Sequence, residues 1–334
     1  MIDRHIALVE AGYELESSGP EWLAELSGPM RALHDCAVSA FLFEFDRHEG
    51  QPVLCNHHTE DPKVAEGLQR TFAEVPAALL DMFFTVPLLA APSSEILAAK
   101  GIDLSTTPLR PVFEESGFMD VFAMSAFDPL GSGVSIGVGL GRPIEATDGQ
   151  RRSWSQIAAH LAAGHRLRRR LAGSPAVSQA GAVLRTDGKV EHSEPGVDDD
   201  LRALLREAVE RVERARARRR DAEEALQLWQ SLVAGEWSLA DHFEGNGRRF
   251  YVAVRNPPNV AQSKALTRRE AEVVSYLACG TKTSAAAYAL GLDEVTVRGY
   301  LRTALVKLGM RSRAELIALR SMLHARRQIE PQGE

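Results

Sequence analysis

The stretch of this chain that most constrains its fold is 267–308, where capping chemistry, a tight turn and apolar spacing follow one another in a fixed order. Thr267 with Glu270 three residues on has the spacing of a capping box, and Val273, Val274 and Leu277 give the following helix one apolar face. After Gly280 the pattern predicts a short helix over about Thr283–Leu290, then a turn at Gly291-Leu292-Asp293. Asp293 caps a longer helix, Glu294–Leu308. On that helix Val297, Leu301, Leu305 and Leu308 lie at i, i+4, i+8 and i+11, which predicts a single buried stripe. Arg298 and Arg302 are i, i+4 neighbours on the other side, with Thr296, Thr303, Val306 and Lys307 nearby. Two helices joined by a tight glycine turn, the second buried on one face and basic on the other, have the shape and charge to enter a major groove.

Charge along the chain agrees with that reading, although the average does not. The formal net charge is −6, from 39 Lys+Arg against 45 Asp+Glu. Residues 263–327 hold 12 Lys/Arg and 5 Asp/Glu, or +7, whereas 1–262 hold 27 basic and 38 acidic residues, or −11. An acidic body thus carries a small basic C-terminal module, and any contact with a polyanion is expected to stay on that module.

The 334 residues imply two or three domains, and a hydrophobic share of 45% with 25% charged residues excludes global disorder. Asp3, Arg4, His5 and Glu10 interrupt any apolar run at the start, so no secretory segment is expected there. The longest apolar stretch, Val75–Pro92, is broken by Pro76, Asp81 and Pro87, which points to a buried helix rather than a membrane span. Cys36, Cys55 and Cys279 are isolated and odd in number, which disfavours a disulfide framework or zinc cluster and fits a reducing cytoplasm.

Upstream of the C-terminal module the pattern alternates helices and hairpins. Helical spacing covers about 2–16 and 20–35, then Val38–Phe45 and Pro52–His57 read as a hairpin across the turn Asp46–Gly50. A helix is expected over about 62–82, followed by a less regular segment containing Pro87, Pro92, Pro108 and Pro111. Asp120–Phe127 and Val134–Leu140 form a second hairpin, and a helix over about 148–171 ends in Arg166, Arg168, Arg169 and Arg170, which suits the negative end of its dipole. Gly173-Ser174-Pro175 reads as a linker. Beyond it come a hairpin from Ala182–Arg185 and Val190–His192 across Thr186-Asp187-Gly188, and a long helix of about 199–234 entered through Asp198–Asp200. A third hairpin pairs Trp237–Phe243 with Arg249–Val254, and Pro257-Pro258 precedes the C-terminal module. The expected class is multidomain α+β: one-sheet sensor-like modules at 1–173 and 174–258, an all-α four-helix domain at 259–327 and a flexible tail at 328–334.

Residues 266–319 resemble the LuxR/FixJ-type (GerE-like) DNA-binding domain of bacterial transcription regulators. The landmarks are Leu266-Thr267, Arg269-Glu270, Glu272-Val273, Gly280, Ala287, Leu290-Gly291, Thr296-Val297, Lys307-Leu308-Gly309, Ser312-Arg313 and Glu315-Leu316. The resemblance implies four helices, of which the third reads duplex DNA and the fourth, about Arg313–Leu323, supports a homodimer. By position it puts Thr296, Arg298 and Arg302 toward the groove and its phosphates, with Thr303 beside them and Lys307 near the backbone at the helix end. Arg268 stands where the family usually has proline, Ala285-Ala286 where it has an acidic-aliphatic pair, and Gly299-Tyr300 where it has a larger residue and often histidine. The missing side chain at Gly299 removes one base contact that a larger residue there offers. By element order alone, the N-terminal region resembles a GAF-type sensor and 180–256 a reduced PAS-type module.

Other signals yield to simpler readings. Gly280-Thr281-Lys282-Thr283 echoes a phosphate loop, but Ser275 replaces the needed glycine, so a turn is expected. Glycines 131, 133, 137, 139 and 141 fall in a hairpin and read as turn and strand packing. Glu44, Asp46, His48, His57 and His58 converge on one hairpin end, where solvated loop residues are the expectation rather than a metal site. No catalytic constellation stands out, so no enzyme activity and no cofactor are expected. The chain opens with helices rather than a strand ending in paired acids, which disfavours a phosphoryl-accepting receiver. Tyr13, Trp22 and Trp154 are too scattered for the aromatic pocket of acyl-homoserine-lactone sensors. Phe41, Phe43, Phe45, Phe83, Phe84, Phe113, Phe118 and Phe122 are expected to form aromatic core, with a lined pocket as the alternative. The expected function is a cytoplasmic one-component transcription regulator responding to a small-molecule effector, a partner or RNA polymerase. The competing reading is a scaffold whose helical C-terminus docks on a partner protein.

Overall fold

The computed structural model describes residues 4–48, 51–129, 131–172, 176–218, 221–233, 236–243, 247–256 and 265–329. Gly173-Ser174-Pro175, Pro257-Pro258, the hairpin tips at 49–50, 130 and 244–246, and residues 330–334 of the tail lie outside the described residues, and 46–48, expected in the first turn, are strand.

The N-terminal unit begins with helices α1 (Arg4–Gly12) and α2 (Gly19–Arg31), both shorter than their apolar spacing suggests. Ser18 and Glu21 close a capping box that starts α2, and Pro20 sits in its first turn, where the missing N–H costs nothing. Strands β1 (Ala37–His48) and β2 (Gln51–Thr59) form the first hairpin. The segment expected as one helix over 62–82 is two, α3 (Pro62–Glu74) and α4 (Ala77–Phe84). Pro76 cannot donate to the helix ladder and forces Val75 into an extended conformation, so helical periodicity on both sides does not carry through. The less regular segment holds β3 (Ala90–Pro92), α5 (Ser93–Ala98) and α6 (Leu109–Glu115). Strands β4 (Asp120–Phe127) and β5 (Gly133–Leu140) and helix α7 (Asp148–Leu171) follow as the sequence indicates, with Thr147 and Gln150 boxing the start of α7.

The five strands make one antiparallel sheet in the order β2-β1-β5-β4-β3. Strand alternation divides its side chains between two layers. Ala40, Leu42, Phe122, Met124, Ala126, Val134, Ile136 and Val138 join α1, α2 and α7 in the main core. Phe41, Val121 and Phe118 join α3–α6 in a second cluster. Gly137 and Gly139 are small because rings occupy their places: a Cβ on Gly137 would lie 2.1 Å from the Phe41 ring, and one on Gly139 would lie 2.2 Å from the Phe118 ring. The reading of these two glycines as strand packing holds.

A second unit begins with β6 (Ala182–Arg185) and β7 (Val190–Ser193), whose turn uses Gly188 at φ +80°. The helix expected over 199–234 is again two, α8 (Asp199–Ala217) and α9 (Ala222–Leu228). Arg218 leaves the helical region and Asp221 caps a new helix by accepting from the Glu224 N–H, so the chain folds back and Leu226, Trp229 and Leu232 reach the core from a separate element. Strands β8 (Trp237–Phe243) and β9 (Arg249–Arg255) complete a four-stranded antiparallel sheet, order β7-β6-β9-β8.

The C-terminal unit is wholly helical: α10 (Arg268–Ala278), α11 (Thr283–Leu290), α12 (Glu294–Lys307) and α13 (Arg313–Ile329). No described helix is long and apolar enough to cross a membrane.

Candidate nucleic-acid interface

Local chemistry sets each helix of the C-terminal unit. Thr267 accepts from the Glu270 N–H while Glu270 accepts from the Thr267 N–H at 2.8 Å, fixing the start of α10. Helix α11 stops at Gly291, whose φ of +62° places the chain in the left-handed region that closes a helix and turns it sharply. Asp293 then opens α12, accepting from the Thr296 N–H at 2.7 Å and from the Thr296 hydroxyl at 2.7 Å. Those bonds, the backbone N–H first, hold the Asp293 carboxyl below its usual range and keep a negative charge at the positive end of the helix.

Val297 and Ala304 are fully buried against α10 and α11, and Tyr300, Leu301 and Leu305 are half-buried. The expected apolar stripe is therefore re-centred: Ala304 lies at its middle, and Leu308, at the helix end, is 39% exposed because no further turn covers it. Arg298, Arg302 and Thr303 occupy the outward half of α12. Arg298 donates to Glu294 at 2.6 Å, an exposed i, i+4 pair that is easily exchanged for another anion, and the Thr303 hydroxyl donates to the Gly299 carbonyl at 3.2 Å. Thr296 is half-buried with its hydroxyl on Asp293. Lys307 departs from this group. Its ammonium donates to both Glu270 carboxylate oxygens, at 2.8 and 2.7 Å, tying the end of α12 to the capping box of α10. That pairing, with the Thr267 N–H bond, lowers the Glu270 pKa.

The sequence places Val306 beside the arginines on this face but passes over Val295. Val295 is 74% exposed and Val306 76%, the two highest values among the exposed large hydrophobic side chains described. The signal was available in the spacing, because 295, 299, 302 and 306 run along one line of a 3.6-residue helix.

The opposite side of the unit is fastened to the body. The Tyr288 hydroxyl on α11 lies 2.6 Å from the Leu226 carbonyl, 2.7 Å from the Trp229 carbonyl and 2.9 Å from His160 Nε2. These carbonyls end α9, where helical acceptors have no partner within the helix. His160 Nε2 also lies 3.0 Å from the Trp229 carbonyl, and its Nδ1 lies 3.1 Å from the Tyr13 hydroxyl. One neutral tautomer fits this set, with Tyr13 donating to Nδ1, Nε2 donating to the Trp229 carbonyl and Tyr288 donating to the Leu226 carbonyl. Complete burial pushes the His160 pKa down to about 3. Tyr13 stacks on Trp229 at 6.0 Å, and Arg216 spans the two sheet-bearing units by donating to Glu10 at 3.1 Å and pairing with Asp241. Farther along α10, the Tyr276 hydroxyl donates to Asp128 at 3.2 Å, and Arg166 holds that carboxylate with bonds of 2.8 and 2.6 Å. The Thr281 hydroxyl donates to the Pro87 carbonyl at 3.3 Å, and Arg268 pairs with Glu236 at 2.8 Å.

A cavity of about 90 Å³ lies between the first sheet and α3–α6. Six of the eight expected phenylalanines line it: Phe41, Phe43, Phe83, Phe84, Phe113 and Phe118. Phe45 instead packs on Phe84 and Phe127, and Phe122 packs on the far face of the sheet against His34 and Trp154. Tyr13, Trp22 and Trp154 lie in the main core and not around the cavity. Among the described residues the polar lining is limited to the hydroxyls of Thr71, Ser93, Ser116 and Ser135. At the end of the first hairpin, Glu44 accepts from Asn56 at 2.6 Å and Asp46 pairs with Arg169. Among the described residues no three His, Cys, Asp or Glu side chains are grouped to hold a metal ion.

The C-terminal arrangement is that of a helix-turn-helix domain with its second helix facing outward. Residues 264–319 match the luxR family of bacterial regulatory proteins, and the first 263 residues lie outside that match. No curated protein matches the chain. Among solved structures the chain is similar to SdiA in complex with octanoyl-rac-glycerol, with 11% identity, a TM-score of 0.32, and coverage of 94% of this chain and 91% of that one.

Proposed function

We propose that this chain is a bacterial one-component transcription regulator that binds duplex DNA sequence-specifically as a homodimer, through the outward face of α12. The observation that carries the reading is the two-sidedness of the luxR-family unit: Val297 and Ala304 bury one face of α12, while Arg298 and Arg302 stand exposed on the other. Arg298, Arg302 and Thr303 supply groove and phosphate contacts, Thr296 steadies the first turn, and Lys307 contributes chiefly by fixing α12 to α10. In this reading 259–327 is the DNA-binding domain and 328–334 a tail. The units at 1–173 and 174–258 are GAF-like and PAS-like sensing modules that act in the cytoplasm on an effector or on RNA polymerase, without catalysis. The apolar cavity favours an uncharged effector, since among the described residues its lining offers hydroxyls but no charged group.

The test is binding of the full chain to DNA fragments that it selects from a random pool. Affinity should fall steeply with salt. Arg298→Ala with Arg302→Ala should abolish selective binding and flatten the salt slope by about 0.9 for each phosphate no longer neutralised. Equal binding by the double variant, with an unchanged slope, would contradict the reading and favour docking of the helical unit on a partner protein.

A further inference from the structure

We propose that Val295 is a specificity-determining residue that reads a thymine C5-methyl group in the major groove. The inference rests on the reading of α12 as the groove helix, and concerns a residue that neither charge nor hydrogen bonding would single out.

Val295 sits in the first turn of α12, two residues after the Asp293 cap. Residues at the start of a groove helix are those that reach base edges. A β-branched apolar side chain that is 74% exposed gives a helix start neither capping nor favourable propensity, and it contributes nothing to the core. Its neighbours say what it faces. Gly299 and Arg302 follow on the same line of the helix and Arg298 stands one row aside, so the apolar side chain is framed by two cations. A Cβ placed on Gly299 would meet nothing within 4 Å, so no side chain rises between Val295 and Arg302 and the backbone there is free to approach a surface closely. A polyanion with an apolar feature in its groove floor complements this face. Among base edges in the major groove, the thymine methyl is the apolar feature, and valine has no group with which to answer any other.

The experiment uses the full chain and the fragment that it selects, with each thymine of the site replaced in turn by deoxyuridine, which lacks only the methyl group. The wild-type protein should lose about fourfold in affinity per half-site at one thymine, the effect of one buried methyl-sized group. Val295→Ala, which keeps the helix but withdraws both Cγ methyl groups, should discriminate between the thymine and deoxyuridine sites less than the wild type does. Discrimination by Val295→Ala as strong as by the wild type, or no sensitive thymine in a selected site, would overturn the assignment while leaving DNA binding intact. A change of oligomeric state in Val295→Ala without a methyl effect would overturn it in favour of a protein contact. Failure to select any DNA would overturn the groove reading and the role of Val295 with it.

Discussion

Removing a single oxygen atom tests how the helix-turn-helix unit is held. Tyr288→Phe keeps the ring and deletes the hydroxyl that caps the end of α9. The Trp229 carbonyl retains His160 at 3.0 Å, so the loss concentrates on the Leu226 carbonyl, whose 2.6 Å bond disappears. A buried acceptor left without its partner costs about 1–3 kcal/mol, and the neutral tautomer of His160 is undisturbed because its own acceptor remains. Unfolding in urea, followed by the fluorescence of the four tryptophans, Trp229 beside the deleted group among them, should show that cost as a lower midpoint at constant slope. A change below about 0.5 kcal/mol, the range of an ordinary surface substitution, would refute the idea that Tyr288 fastens the unit to the body.

Other outcomes follow from the same geometry. Gly137→Val drives side-chain atoms into the space of the Phe41 ring, so it should cost about 1–3 kcal/mol by overpacking, read as a lower urea midpoint. Lys307→Met should lower the melting temperature by freeing the buried Glu270, yet leave the salt dependence of DNA binding nearly unchanged. Burial holds His160 at about 3 and His34 at about 4, and His34 Nε2 finds no hydrogen-bond partner among the described residues. Both are therefore neutral when folded while the unfolded chain takes up protons below its ordinary histidine pKa of 6.5. Stability is then intact above that value and falls as pH drops toward 4, by about 1.4 kcal/mol per pH unit for each histidine, which denaturation across that range will read.

Where local chemistry decides an element, the sequence was enough. Thr267 with Glu270, and Asp293, each begin a helix where their spacing says, and Asp187-Gly188 turns the hairpin of β6 and β7. Periodicity alone misled twice, at Pro76 and at Arg218–Asp221, because apolar spacing continues through a break when both resulting helices face the same core. The fastening of the helix-turn-helix unit was not legible. Tyr13, His160, Trp229 and Tyr288 meet only through tertiary packing, and nothing local marks any of them as a partner of the others. Exposure on α12 was legible in part: Val297 falls on the apolar stripe and is buried, whereas Val295 lies on the line of 299, 302 and 306, where an apolar residue does not mark an outward face by its chemistry.

The central claim is sequence-specific recognition of duplex DNA, and the ratio of two affinities measures it most directly. At one fixed salt concentration near physiological, the full chain should bind its selected fragment about 10³-fold or more tightly than a shuffled fragment of the same length and composition. Equal affinity for the two fragments would contradict the account, leaving α12 as a basic surface without a reading function.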